Sequence, residues 1–442
     1  MSEETKIKAI GYVPDYSDVQ LYSRQFGQTH TWEGDDWMTT SLSWKNACYI
    51  HAGISGPEVT VKGPDAEALV SMSAINSVKN WKVGRAKHLA MLDENGLLQM
   101  HGLCNRTGED SFALSASLPF PWVELLQTGE YNAEMTMRDI FVYQCAGPNS
   151  LTCLEELTQT NLHDMKCLDF RHVTIPGIDC DVEVERVGMS GTLSYELRGP
   201  TECGPEVYDA LYQLGKEKYD MKRLGWRTYT VNHTEAGYPQ FSVHFLTPLM
   251  FNQEFKSSPD NKWNPTLSGS YSPDNESARL RTLVEVGWDW MAKFDHEFVG
   301  RNALEEEMAA PKRTIVTLEW NSEDVIDIYA SQFRDGEPYK YMEMPSAPQQ
   351  PTGAHADRVL SKDGKEIGIS SCAIYSVYYH KTISHCTIDV EYAEIGSEVI
   401  VEWGDFGGKI KQVRAAVSRF PYLDLIRNEK YDVETVPYGC KR

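Results

Sequence analysis

No run of about 18 apolar residues occurs in the chain, so no membrane span is expected. Its first residues, MSEETKIKAIGYVPD, have no apolar core of signal-peptide length. No two cysteines form a CxxC pair, which argues against a zinc or iron–sulfur site, so no metal is expected. Ten cysteines in 442 residues are also few for a disulfide scaffold; reduced thiols in a cytoplasmic protein are the expectation. Basic residues are scarce. The 42 Lys and Arg face 64 Asp and Glu, a formal charge of −22. General nucleic-acid binding needs phosphate-neutralising cations and is excluded as a function class. An anionic ligand would need a local positive site against this field.

What is present suffices for large cores. The length predicts two or three domains, and 41% hydrophobic with 11% aromatic residues can fill them. The chain is organised around residues 186–240. RVGMSGTLSYELRGP reads as a strand, a Gly-rich turn and a second strand. Alternation sets Glu196 on the opposite face from Tyr195 and Leu197. Residues 204–219 carry apolar residues at helical spacing. RLGWRTYTVNHTEAGYP then brings Arg227, Tyr229 and Glu235 within nine residues. These groups could converge on one polar, planar ligand.

Residues 1–43 read as an irregular arm whose aromatics, Tyr12, Tyr16, Tyr22, Trp32 and Trp37, either pack on a neighbouring surface or form a lid. Residues 44–306 read as an α+β unit. VKGPDAEAL, CAGPNSLTCL and LRGPTECGPEVYDAL repeat one grammar of strand, Gly-Pro turn and helix. His101 lies in a strand beside Gly102. It is either a core histidine satisfied by a backbone carbonyl or a functional group, since a glycine in a strand suits close approach. A loop-like stretch over 238–285, a strand over 283–291 and a helix from about 301 follow. Residues 307–425 read as a small β-barrel or sandwich, and 426–442 as a tail.

GMSGTLSYEL, RTYTVNHTEAGYP, WDWMAKFDHEFVGRNAL and the closing all-β segment resemble the glycine-cleavage T-protein (aminomethyltransferase) superfamily. The likeness covers most of 44–420 in the same order. Within the superfamily, WKNAC, VKGPDAEALV, AINSVKNW, KFDHEFVGRNAL and EWNSEDVIDIYASQF are most similar to the tetrahydrofolate-dependent demethylases of vanillate or syringate. The resemblance implies an α+β fold: a three-lobed disc of two α+β lobes and a C-terminal β-barrel lobe around a central folate pocket. It implies that Glu196 holds the pterin, because a carboxylate accepts two parallel N–H bonds from an aminopyrimidine edge. Arg227 matches the Arg of the family's turn, with cofactor binding implied and a structural ion pair as the plainer reading. Tyr229 matches a tyrosine beside the transferred methyl. Glu235, in the E-A-G motif where the next strand is expected to begin, reads as structural. The implied reaction is an in-line methyl transfer from an aryl ether to N5 of tetrahydrofolate, with water kept out. Tyr229 would serve the leaving oxygen as general acid or hydrogen-bond donor.

Departures from the pattern narrow the donor. His101 stands where the superfamily carries an Asp, and a histidine donates as well as accepts. Ser117 or a neighbour stands where the vanillate branch grips a carboxylate with Arg, and a Ser makes no bidentate contact. Ser55 and Gly56 stand where that branch has a His pair. Tyr12, Tyr16 and Tyr22 are candidates for its N-terminal tyrosine, with Tyr16 assigned to substrate. The expected donor is thus a methoxylated aromatic without a carboxylate grip. A sulfonium, quaternary-amine or aminomethyl donor, a corrinoid protein as methyl acceptor, and a non-enzymatic folate-binding role stay open.

Overall fold

The fold is taken from a computed structural model. The described residues are 8–9, 16–25, 28–53, 56–115, 117–257, 266–346 and 355–441. Tyr12 and Ser55 lie outside them, as do parts of the loop-like stretch. Among the described residues no helix is long and apolar enough to cross a membrane.

The repeated grammar builds the first two lobes. Strand Gly56–Lys62 leads to helix Ala66–Ser73, strand Glu134–Ala146 to helix Ser150–Thr158, and strand Ser194–Pro200 to helix Gly204–Lys218. Gly63 and Gly147 turn two of these junctions at φ 143° and 123°. A Cβ there would sit 2.7 Å and 2.5 Å from backbone carbonyl oxygens, so both positions require glycine.

Strand Glu134–Ala146 joins the lobes. Its first half pairs with Gly56–Lys62, and its second half with Ser194–Pro200 and Cys48–His51. The sheet continues one way through Ser111–Ser115, Leu98–Gly108 and Ala86–Leu92. It continues the other way through Ile178–Glu185 and Phe170–Ile175. Its two ends meet: the Ala86 N–H donates to Leu168 O at 2.8 Å and the Phe170 N–H to Gly84 O at 3.3 Å. Alternation sorts the faces as expected, since Tyr195 and Leu197 enter the second core while Glu196 and Arg198 meet polar partners.

The first core combines 59–134 with 241–304, and the second combines 48–221 with Val433 and Val436. The C-terminal stretch therefore packs on the second lobe, where Thr152 Oγ1 donates to Pro437 O at 2.7 Å. The third core fills a closed six-stranded barrel spanning Arg313–Ser418. A fourth cluster, with Trp44, Tyr49, Trp226, Tyr229, Ile374 and Tyr422, lies between lobes and barrel.

Four expectations are corrected. The described part of the arm is not irregular: strands Leu21–Gln25 and Gln28–Glu33 pair antiparallel, and Asp36 caps helix Trp37–Asn46 by accepting from the Thr39 N–H at 2.9 Å. Residues 283–291 are two 3-10 turns rather than a strand; Gly287 between them sits at φ 70°. Trp226–Ala236 is a helix rather than a turn leading into a strand, and Gly237 ends it at φ 64°. Not all ten thiols are free: Cys180 and Cys203 are joined in a disulfide.

Candidate active site

Two polar clusters carry the predicted residues. The first surrounds Glu196, which is 4% exposed. Its Oε2 accepts from Arg198 Nη2 at 2.9 Å and its Oε1 from Gln144 Nε2 at 3.2 Å. Arg198 also lies 3.1 Å from Glu185 and 3.6 Å from Glu183. Asn105 Nδ2 donates to Glu183 at 2.9 Å and to Glu185 at 3.2 Å. Three carboxylates thus share one guanidinium. Burial lifts the Glu185 carboxyl to about 8, against the pull of Arg198. Glu185 therefore holds a proton at neutral pH and relieves the excess negative charge. Burial works against the Arg198 charge, but the surrounding carboxylates outweigh it and hold its pKa above the usual range.

This cluster has polar atoms to spare. Among the described residues Gln144 Oε1 and Asn105 Oδ1 are buried acceptors without a hydrogen-bond partner, and Arg198 Nε and the protonated Glu185 Oε1 are buried donors without one. Such atoms are costly unless something meets them. A ligand edge offering both N–H donors and ring or carbonyl acceptors matches that set, and an aminopyrimidine edge is of this kind.

The second cluster is a row of rings on helix Trp226–Ala236 and its neighbours. All its residues except Arg227 are buried. Tyr229 stacks on His51 at 4.4 Å and 19°, lies 4.3 Å from His233 and 4.9 Å from Trp226. Among the described residues its hydroxyl has no hydrogen-bond partner. Burial, then Tyr49, Glu196 and Tyr238, push its pKa well above the usual phenol value, so it stays a neutral O–H. His51 Nδ1 donates to Leu224 O at 2.7 Å, and His233 Nδ1 to Tyr229 O at 3.0 Å. Both Nε2 atoms then carry free lone pairs, and among the described residues neither has a hydrogen-bond partner. Burial holds His51 at about 3 and His233 at about 4, so both are uncharged at neutral pH.

His101 stands at the other end of the row. Its Nε2 accepts from the Phe241 N–H at 3.2 Å, so its Nδ1 carries the proton and donates to His88 Nε2 at 3.1 Å. Tyr238 Oη lies 3.0 Å from the same His88 nitrogen, and its ring is 5.9 Å from His233. The backbone partner of His101 is thus an N–H, not a carbonyl. The close approach implied by Gly102 is real: a Cβ there would sit 2.5 Å from Ser117 Cβ and 2.8 Å from Ser115 O. Ser115 Oγ accepts from Arg198 Nη1 at 3.1 Å, which sets Ser117 two residues from the acidic cluster. Ser117 Oγ itself donates only to Leu118 O, at 3.4 Å.

Three other residues stand apart. Arg227 is held by Glu33 and by Met344 O at 2.9 Å, which is the structural ion-pair arrangement and commits its guanidinium away from a cofactor. Tyr16 packs against Tyr208 and Tyr212 on the second core, and its hydroxyl donates to Asp209; it does not join the row around Tyr229. Glu235 is buried between Lys45 and Ser376 Oγ, tying helix Trp37–Asn46 and the barrel to helix Trp226–Ala236.

The sequence reading passed over Arg198, Gln144, His51, His88, His233 and Tyr238. Arg198 was within reach, because i and i+2 on a strand share a face with Glu196. His51 closes the WKNAC strand two residues before Gly53, where a Cβ would sit 2.7 Å from His51 Nε2. The others depend on contacts between distant segments.

Comparison with known proteins agrees with this architecture. Residues 52–245 match the GCVT N-terminal domain family. The sesamin methylene transferase of Sinomonas sp. (strain No.22) is 34% identical over 417 residues, covering 90% of this chain and 91% of that protein. The syringate O-demethylase of Sphingobium sp. (strain NBRC 103272 / SYK-6) is 29% identical over 422 residues, covering 89% and 90%. In fold, the glycine cleavage system aminomethyltransferase T from Bartonella henselae superposes with a TM-score of 0.67 at 14% identity, over 94% of this chain and 96% of that one. The chain therefore belongs to the glycine-cleavage T-protein (aminomethyltransferase) superfamily, near its O-demethylases.

Proposed function

We propose that the chain is a tetrahydrofolate-dependent transferase that removes an O-methyl group from a methoxylated aromatic lacking a carboxylate. The observation that carries this reading is the set of unpartnered buried atoms around Glu196, whose donor and acceptor pattern fits an aminopyrimidine edge. Glu196 would take the N–H donors, with Gln144 and Arg198 fixing its orientation. When bound, tetrahydrofolate supplies the nucleophilic nitrogen that accepts the one-carbon unit.

The residues around Tyr229 do the rest. The enclosure formed by His51, Trp226 and His233 excludes water and offers aromatic faces to a flat donor. The Tyr229 hydroxyl has no hydrogen-bond partner among the described residues and would donate to the ether oxygen as charge develops there. Its raised pKa makes it a donor that keeps its proton rather than an acid that loses it. Neutral His101 and His88 can pass a proton between Nδ1 and Nε2 at the row's other end. Ser117, beside Gly102, supplies no carboxylate grip.

A second reading is favoured by the relative named for methylene transfer from sesamin. In it the transferred unit is a methylene held between two aryl oxygens. One assay separates the two. Purified protein is incubated with tetrahydrofolate and a panel of carboxylate-free methoxyl and methylenedioxy aromatics, and the folate product is followed by mass. 5-Methyltetrahydrofolate supports the first reading and 5,10-methylenetetrahydrofolate the second. No product from any donor would overturn both.

A further inference from the structure

We propose that the cleft at the seam of the large sheet binds a small polyanion, one carrying two or more carboxylates or phosphates. The seam is where strand Ala86–Leu92 meets the segment entering strand Phe170–Ile175. A cavity of about 620 Å³ opens there, lined by Trp81, Lys82, Arg85, Lys87, Lys166 and Asp169 among others. That volume suits a small organic ligand. Four cations face one carboxylate, in a chain whose formal charge is −22. A local reversal of sign against so negative a background concentrates anions.

The cations are not equally engaged. Arg85 is paired with Asp169, and Lys87 donates to Ser77 O with its ammonium 5.1 Å from the Trp81 ring. Lys82 and Lys166 are exposed, and their ammonium groups have no acid or acceptor partner among the described residues, although the Lys166 backbone N–H donates to Asp169 at 2.7 Å. They come from opposite sides of the seam. Burial lowers the Lys87 pKa, opposed by Asp295, and an incoming anion would offset that burial further. A polyanion spanning Lys82 and Lys166 would add a tie between two sheet ends already joined by backbone hydrogen bonds, the Arg85–Asp169 pair and the apolar packing of Ala86, Leu103 and Val187 with Leu168 and Phe170. Lysine ammonium groups are compact point charges, which suit carboxylate and phosphate alike.

The site lies outside the Glu196 and Tyr229 clusters, so it stands whether or not the chain turns over folate. The test uses the full chain at fixed ionic strength. Tri-γ-glutamate, citrate and tripolyphosphate are titrated calorimetrically, with acetate as a monoanion control, and thermal unfolding is followed alongside. At least one polyanion should bind and raise Tm where acetate does not. The double variant Lys82→Ala/Lys166→Ala should weaken that binding about tenfold, and added KCl should weaken it too. Preference for tri-γ-glutamate would assign the site to a carboxylate chain, and preference for tripolyphosphate to a phosphate. Binding of equal strength in the double variant, or no binding beyond that of acetate, would overturn the proposal.

Discussion

Tyr229→Phe should move stability and activity in opposite directions. The Tyr229 ring is 3% exposed and is held by the His51 stack, His233 and Trp226, all of which a phenylalanine keeps. Its hydroxyl has no partner among the described residues, so its removal breaks no hydrogen bond within them. Deleting a buried unpaired polar group is neutral or stabilising, by up to about 1–2 kcal/mol. The same atom is the donor assigned to the leaving oxygen. Losing one such donor costs about 10²–10³ in kcat, with KM little changed because the enclosure is intact. Because burial holds the hydroxyl protonated well above the usual phenol range, wild-type activity should not fall near pH 10 through this group. Urea unfolding and steady-state turnover on the same preparations check both arms. Destabilisation beyond about 1.5 kcal/mol would mean that the hydroxyl has a structural partner, and unchanged kcat would remove it from the reaction.

Three further outcomes follow from the geometry. Arg198→Met leaves the carboxyl groups of Glu183, Glu185 and Glu196 buried without their cation; a loss of about 3–5 kcal/mol is expected in denaturant unfolding, smaller in acid. Gly53→Ala places a Cβ 2.4 Å from Trp226 Nε1 and 2.7 Å from His51 Nε2, so a loss of about 1–3 kcal/mol and a lower Tm are expected. His51, His88 and His233 are held near 3 to 4 by burial, below their unfolded value, so their contribution is present above about pH 6.5 and is lost as pH falls toward 4. Stability should therefore drop by about 1.4 kcal/mol per histidine for each pH unit below 6.5, read from urea midpoints, and a flat profile from pH 6.5 to 5 would contradict the neutral row.

Local pattern made much of the fold readable. The Gly-Pro junctions announced strand-to-helix turns because Gly63 and Gly147 need backbone conformations that other residues avoid. Glu196 was placed on the polar face by alternation alone. Helix Trp226–Ala236 escaped notice for a physical reason: it is buried on nearly every side, so it has no amphipathic stripe, and its Thr and Val residues disfavour helix in isolation. The same burial hid the imidazole row, since His51, His88, His101 and His233 meet only after three segments converge. The disulfide was missed because Cys180 and Cys203 are 23 residues apart and match no motif. Arg227 and Tyr16 were drawn toward the site by family likeness, whereas Glu33 and Asp209 claim their polar atoms.

The most direct test of the central claim is equilibrium binding of tetrahydrofolate to the wild type and to Glu196→Gln, measured anaerobically by calorimetry. The substitution keeps the side-chain shape and replaces one acceptor oxygen by a donor amide. The account predicts binding by the wild type and a loss of about 10²-fold in the variant, with thermal unfolding showing that both are folded. Equal affinity in the two proteins, or no binding by the wild type, would contradict it.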